Sequence, residues 1–158
     1  MQKNHQPSDQ SKEAWTGVVS TTPWTHDITI SPLNRYLRTQ EAIFCCGLSL
    51  AKRIREREHL KPGHVILFPE RCPNGFWHFH GFVVHPNGKE SNFAVAGSVY
   101  LTSQLKLQAE HKFTCTKFSP TTRPSVLIRP LHEDATPMIH YAMKDWRSQN
   151  KGDNVIVW

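Results

Sequence analysis

Residues 76–85 read Phe-Trp-His-Phe-His-Gly-Phe-Val-Val-His, and this alternation constrains the fold more than any other feature of the chain. Successive side chains of a strand point to opposite faces, so Trp77, Phe79, Gly81 and Val83 share one side and His78 and His80 share the other. An aromatic face of this kind must be covered, and helices are the natural cover. Both imidazoles then lie on the open face of the sheet and point the same way.

The other segments predict what surrounds that strand. Residues 15–22 (WTGVVSTT) are β-branched, end at Pro23 and predict a first strand. Residues 24–34 are ambiguous, with Ile28-Thr29-Ile30 readable as a short strand or an ordered loop. Over residues 39–59, Ile43, Gly47, Leu50 and Ile54 recur at helical steps, with Thr39 as N-cap and Lys61-Pro62-Gly63 as stop. Residues 64–70 (HVILFPE) form an apolar strand, and Pro73-Asn74-Gly75 turns it back into the histidine strand as an antiparallel pair. A helix follows over residues 92–111, a Pro/Thr-rich loop at 119–124 and a strand at 125–131. Thr136-Pro137 places a cap and a first-position proline at the start of a last helix reaching about residue 149, and residues 154–158 close the chain as an apolar stub. The order is that of a ferredoxin-like α+β sandwich: an antiparallel sheet, helices on one face, the site on the open face and an extra C-terminal helix.

With 158 residues, the chain has room for one domain. Residues 1–12 are expected to be a flexible tail and residues 13–158 a single domain. Lysine and arginine exceed aspartate and glutamate by six, which suits a polyanionic partner. The mixed-sign run at residues 52–58 is the solvated face of a helix. Cys45, Cys46, Cys72 and Cys115 contain no C-x-x-C pair, which argues for reduced thiols in a cytosolic protein rather than a zinc site. No stretch has the apolar length to cross a membrane, and the polar N-terminus is unlike a secretory signal.

Chemistry concentrates in two places. Two imidazoles on one strand face can hold a divalent metal, and Glu70, at the end of the preceding strand, lies across the ladder from them. Two nitrogens and a carboxylate leave coordination positions open, as a catalytic metal needs, and suit Mg²⁺ or Mn²⁺ when phosphate oxygens supply the rest. On the last helix Ile139, Ala142, Met143 and Trp146 form the buried stripe. Tyr141 and Lys144 project from the other side, and His140 points elsewhere and is expected to be inert.

These residues resemble those of a known family. His78-Phe79-His80 looks like the His-hydrophobic-His motif of the HUH endonucleases, and Tyr141 with Lys144 looks like the Y-x-x-K motif that follows it in rolling-circle replication initiators. Glu70, eight residues before His78, stands where the initiators of small circular single-stranded DNA viruses commonly carry a third ligand. Residues 16–23 are a loose counterpart of the family's first motif. The resemblance spans about residues 15–150. Relaxases carry their tyrosine near the N-terminus, unlike this chain. There is no G-x-x-x-x-G-K-[ST] loop, so the helicase domain of many viral initiators is not in this sequence. A stand-alone phage or plasmid initiator and a fragment both fit.

The resemblance implies metal-dependent nicking and rejoining of single-stranded DNA at an origin hairpin. Metal on Glu70, His78 and His80 would polarise the scissile phosphate, and Tyr141 would attack it to leave a 5′-phosphotyrosine link and a 3′-hydroxyl. Lys144 would assist ionisation of the phenol or neutralise the phosphoryl transition state. Arg71 and Arg147 would hold DNA phosphates; Trp24 could stack a base but is better read as core. A host or separate helicase would open the duplex, in the cytoplasm of a bacterial host or the nucleus for a eukaryotic virus. Three competing readings are a non-catalytic nucleic-acid-binding module, a hydrolase that uses water as nucleophile, and an HUH transposase or mobilisation protein.

Overall fold

The computed structural model describes residues 7–31, 40–71, 77–89, 92–112, 125–131, 136–146 and 155–158. The expected cap Thr39, the 73–75 turn, the 119–124 loop, Cys72, Cys115 and Arg147 lie outside them. The elements run α1 (Pro7–Thr21), β1 (His26–Ser31), α2 (Gln40–Glu58), β2 (Val65–Arg71), β3 (Trp77–Val83), α3 (Phe93–Lys112), β4 (Ser125–Pro130), α4 (Thr136–Met143) and β5 (Ile156–Val157). The sheet order is β4-β1-β3-β2-β5, and every recorded pairing is antiparallel. From β1 to β4 this is the expected ferredoxin-like α+β sandwich, with β5 added beside β2.

The first strand is not where the β-branched run predicted it. Residues 15–21 belong to helix α1, residues 7–12 are helical rather than tail, and β1 is formed by the ambiguous segment around Ile28-Thr29-Ile30. The counterpart proposed for the family's first motif, residues 16–23, therefore lies mostly on a helix. Two facts explain the outcome. Trp15 and Val19 stand one turn apart and pack with Trp24, Met143 and Trp146, so burying them outweighs a weak strand propensity. The hydroxyls that suggested a strand instead donate back to helix carbonyls, Thr16 to Lys12 at 2.7 Å and Thr22 to Val18 at 2.7 Å.

The helix-covered face is built as expected. Ile28, Ile30, Leu67, Trp77, Phe79, Val83, Val126 and Ile128 from the sheet pack with Leu50 and Ile54 of α2 and Leu101 and Leu105 of α3. α2 ends where His59 adopts φ 54° and Leu60 N–H donates to Arg55 O at 3.0 Å, a Schellman-type closure just before Lys61-Pro62-Gly63. The opposite face is not bare. α1 and α4 bury Ile66, Phe68 and Phe82 under Val19, Ala142, Met143 and Trp146, and Trp24 joins this second core rather than presenting a stacking surface.

A titratable pair is buried at the far end of the helix-covered face. His26 is 0% exposed, with its ring edge-on to Phe93 at 5.1 Å and 6.1 Å from that of His85. His85 stacks on Phe93 and reaches Glu58 Oε2 at 3.0 Å, whereas His26 Nε2 has no hydrogen-bond partner. Desolvation, with smaller contributions from His85 and Lys89, lowers the His26 pKa from 6.5 to about 4. Unfolded chain takes up this proton near pH 6.5 and folded chain only near pH 4, so the unfolded state binds more protons in between. Stability is therefore full above pH 6.5 and falls as the pH drops toward 4, by about 2–3 kcal/mol from this residue. Urea denaturation at pH 7.5 and 4.5 checks this: His26→Leu should lose much less stability between the two than the parent chain.

Candidate metal centre and tyrosine

β2 and β3 meet in a register that places Glu70 directly opposite His78 and Phe68 opposite His80. On the other side of β3, Thr29 of β1 faces His80, and Leu127 of β4 faces Thr29. The even-numbered positions of β3 thus look away from α2 and α3, as the alternation predicts, and both imidazoles stand beside the core under α1 and α4. Glu70 is only 5% exposed, a position that a carboxyl group occupies only with partners.

Two of those partners are the histidines opposite and beside it on β3. His78 Nε2 lies 3.0 Å and His80 Nε2 3.1 Å from Glu70 Oε2, and the two Nε2 atoms are 2.8 Å apart. Three atoms bearing lone pairs at such spacing need a proton or a cation among them. For donors about 2.1 Å from an ion, adjacent octahedral positions lie about 3.0 Å apart. The three separations fit one face of that polyhedron, so the residues suit a metal ion. Among the described residues this is the one group of three or more histidine, cysteine or acidic side chains whose ligand atoms converge in this way.

Tyr141 and Lys144 come to the same place. The stripe of α4 is buried as expected, with Ala142, Met143 and Trp146 at 3% exposure or less and Ile139 packed beside them, while Tyr141 is 44% exposed. α4 is shorter than predicted, ending at Met143, and Asp145 follows with φ 55°. Tyr141 therefore sits in the final turn and Lys144 just beyond it, where Lys144 N–H donates to Tyr141 O at 3.3 Å. The Tyr141 ring stands edge-on to His80 at 4.9 Å. Lys144 Nζ lies 4.1 Å above that ring and 2.8 Å from Glu70 Oε1. Its hydrogen bond to Glu70, with Tyr141 adding to it, raises the lysine pKa and keeps it charged.

Arg71 is exposed at the end of β2, one residue past the carboxylate, and His140 is exposed on α4. Sequence reasoning missed two things. One is the contact of Lys144 with Glu70, for which the spacing of two separate motifs carries no signal. The other is the buried His26–His85 pair, which the alternation of His26 with Ile28 and Ile30 could have revealed. No family model matches the chain, and comparison with curated proteins and with solved structures finds no match either.

Proposed function

We propose that this chain nicks and rejoins single-stranded DNA through a covalent tyrosine intermediate, as HUH-type rolling-circle replication initiators do. The observation that carries this reading is the exposed Tyr141 ring packed edge-on against His80, itself one corner of the Glu70–His78–His80 triangle. A nucleophile must stand beside the group that binds its phosphate, and an exposed tyrosine packed on one of the three converging side chains fits that requirement.

Glu70, His78 and His80 would hold Mg²⁺ or Mn²⁺, which when bound supplies positive charge to a non-bridging phosphate oxygen. Tyr141 Oη attacks phosphorus, the Oη–P bond forms, and the bond from phosphorus to the 3′ oxygen breaks. The phenol loses its proton and the leaving 3′ oxygen gains one, so a 5′-phosphotyrosine and a free 3′-hydroxyl result. Lys144, charged and within reach of the ring, offsets the negative charge that builds on the phenol oxygen and phosphate. The ester conserves the bond, so attack by a 3′-hydroxyl reverses the reaction and rejoins strands. A chain with six excess positive charges favours a nucleic-acid substrate. No described helix is long and apolar enough to cross a membrane.

The test mixes the protein with a pool of single-stranded oligonucleotides and Mn²⁺. The expected product is a protein–DNA adduct that survives denaturing electrophoresis and is abolished by EDTA. Cleavage without an adduct would overturn the reading in favour of a water-using hydrolase, and binding without cleavage would favour a non-catalytic module. The metal half of the reading has its own check. Mn²⁺ at a hundredfold excess over its Kd should stabilise the fold by about 2.7 kcal/mol. A melting-temperature rise seen in the parent chain should vanish in His78→Ala and His80→Ala.

A further inference from the structure

We propose that Lys144 is a positioning residue for the metal ligand Glu70, reserving one carboxylate oxygen for the cation while its own charge weakens the cation's binding. The inference rests on the metal-binding reading above and goes beyond the lysine's role toward the phosphate. The two oxygens of Glu70 have different partners: Oε2 closes the triangle with both imidazoles at 3.0 and 3.1 Å, and Oε1 meets Lys144 Nζ at 2.8 Å. The Glu70 side chain is only 6% exposed, so the carboxylate cannot turn into water to exchange these roles. Lys144 is itself held by the turn that ends α4, where Asp145 takes up φ 55°, and by the Tyr141 ring beneath its ammonium.

Two consequences follow. A carboxylate bound at Oε1 by an ammonium offers a cation one oxygen, not a chelating pair, and so leaves a further coordination position for substrate oxygen. A fixed positive charge hydrogen-bonded to the carboxylate's other oxygen also repels a divalent ion. At such a distance the repulsion, damped by the partial exposure of Lys144, corresponds to about a tenfold loss of affinity. The same ammonium lies over the Tyr141 ring, so the residue that tempers metal affinity also contacts the proposed nucleophile.

Mn²⁺ titration followed by the electron paramagnetic resonance of the free ion tests this without DNA or turnover. Lys144→Met should bind Mn²⁺ about tenfold more tightly than the parent chain, Lys144→Arg should bind like the parent, and the difference should shrink as salt is raised. Equal or weaker binding by Lys144→Met, with the fold confirmed by circular dichroism, would overturn the inference while leaving the metal site standing. If instead the parent binds no Mn²⁺, or binds it as well after His78→Ala/His80→Ala, the metal reading itself falls and takes the inference with it.

Discussion

Tyr141→Phe should abolish covalent attachment to single-stranded DNA while leaving the fold and the metal centre as they are. The substitution removes one oxygen from a side chain that is 44% exposed and lies outside the buried stripe of α4, so no core contact is lost. The edge-on packing on His80 at 4.9 Å and the Lys144 ammonium at 4.1 Å are made by the ring and persist in phenylalanine. What disappears is the proposed nucleophile, together with the hydroxyl's hydrogen bond to Lys144. Loss of a covalent nucleophile costs about a thousandfold or more in rate, which in a gel assay means no adduct at all. Melting temperature and Mn²⁺ affinity, measured on the same preparation, should match the parent within error. Retained cleavage with no adduct would show that water is the nucleophile, and retained adduct would place the attachment on another residue.

Gly81→Ala should be the most damaging single methyl group that can be added to the sheet. A Cβ at Gly81 would stand 2.1 Å from the Ile66 carbonyl oxygen, 2.7 Å from Leu67 Cδ2 and 3.1 Å from the Ile66 carbonyl carbon. Two of these three atoms are backbone, so relief requires the β2–β3 ladder to open rather than a side chain to rotate. The cost should be about 3 kcal/mol or more, a fall in melting temperature of about 10 °C. Because the same ladder sets Glu70 opposite His78, the variant should also bind Mn²⁺ more weakly. Gly17→Ala is the matched control: that glycine lies on the exposed side of α1 with nothing within 4 Å of its would-be Cβ. The change should be neutral or stabilising by up to about 1 kcal/mol. A Gly81→Ala protein as stable as the parent in urea denaturation would contradict the close approach of the two strands.

Much of the geometry of the candidate metal site could be read from residue order. A two-residue period puts His78 and His80 on one side of a strand whatever the rest of the chain does, and a short hairpin brings the end of the previous strand alongside, which is why Glu70 arrives opposite His78. The stripe of α4 was legible in part: helical period puts Ala142 and Met143 on the buried side and Tyr141 on the other, whereas Trp146 is buried beyond the end of the helix, past the turn at Asp145.

The first strand was not legible. Residues 15–22 carry valines and threonines that suit a strand, yet their place depends on whether Trp15 and Val19 find partners one helical turn apart, and those partners, Met143 and Trp146, are more than a hundred residues away. The Lys144–Glu70 contact and the burial of His26 beside His85 and Phe93 are of the same kind. By itself, then, the sequence determined which side of its own element each functional residue takes, since local backbone geometry sets that period. Only the tertiary structure decided which elements face one another, because that depends on burying surfaces contributed by segments far apart along the chain.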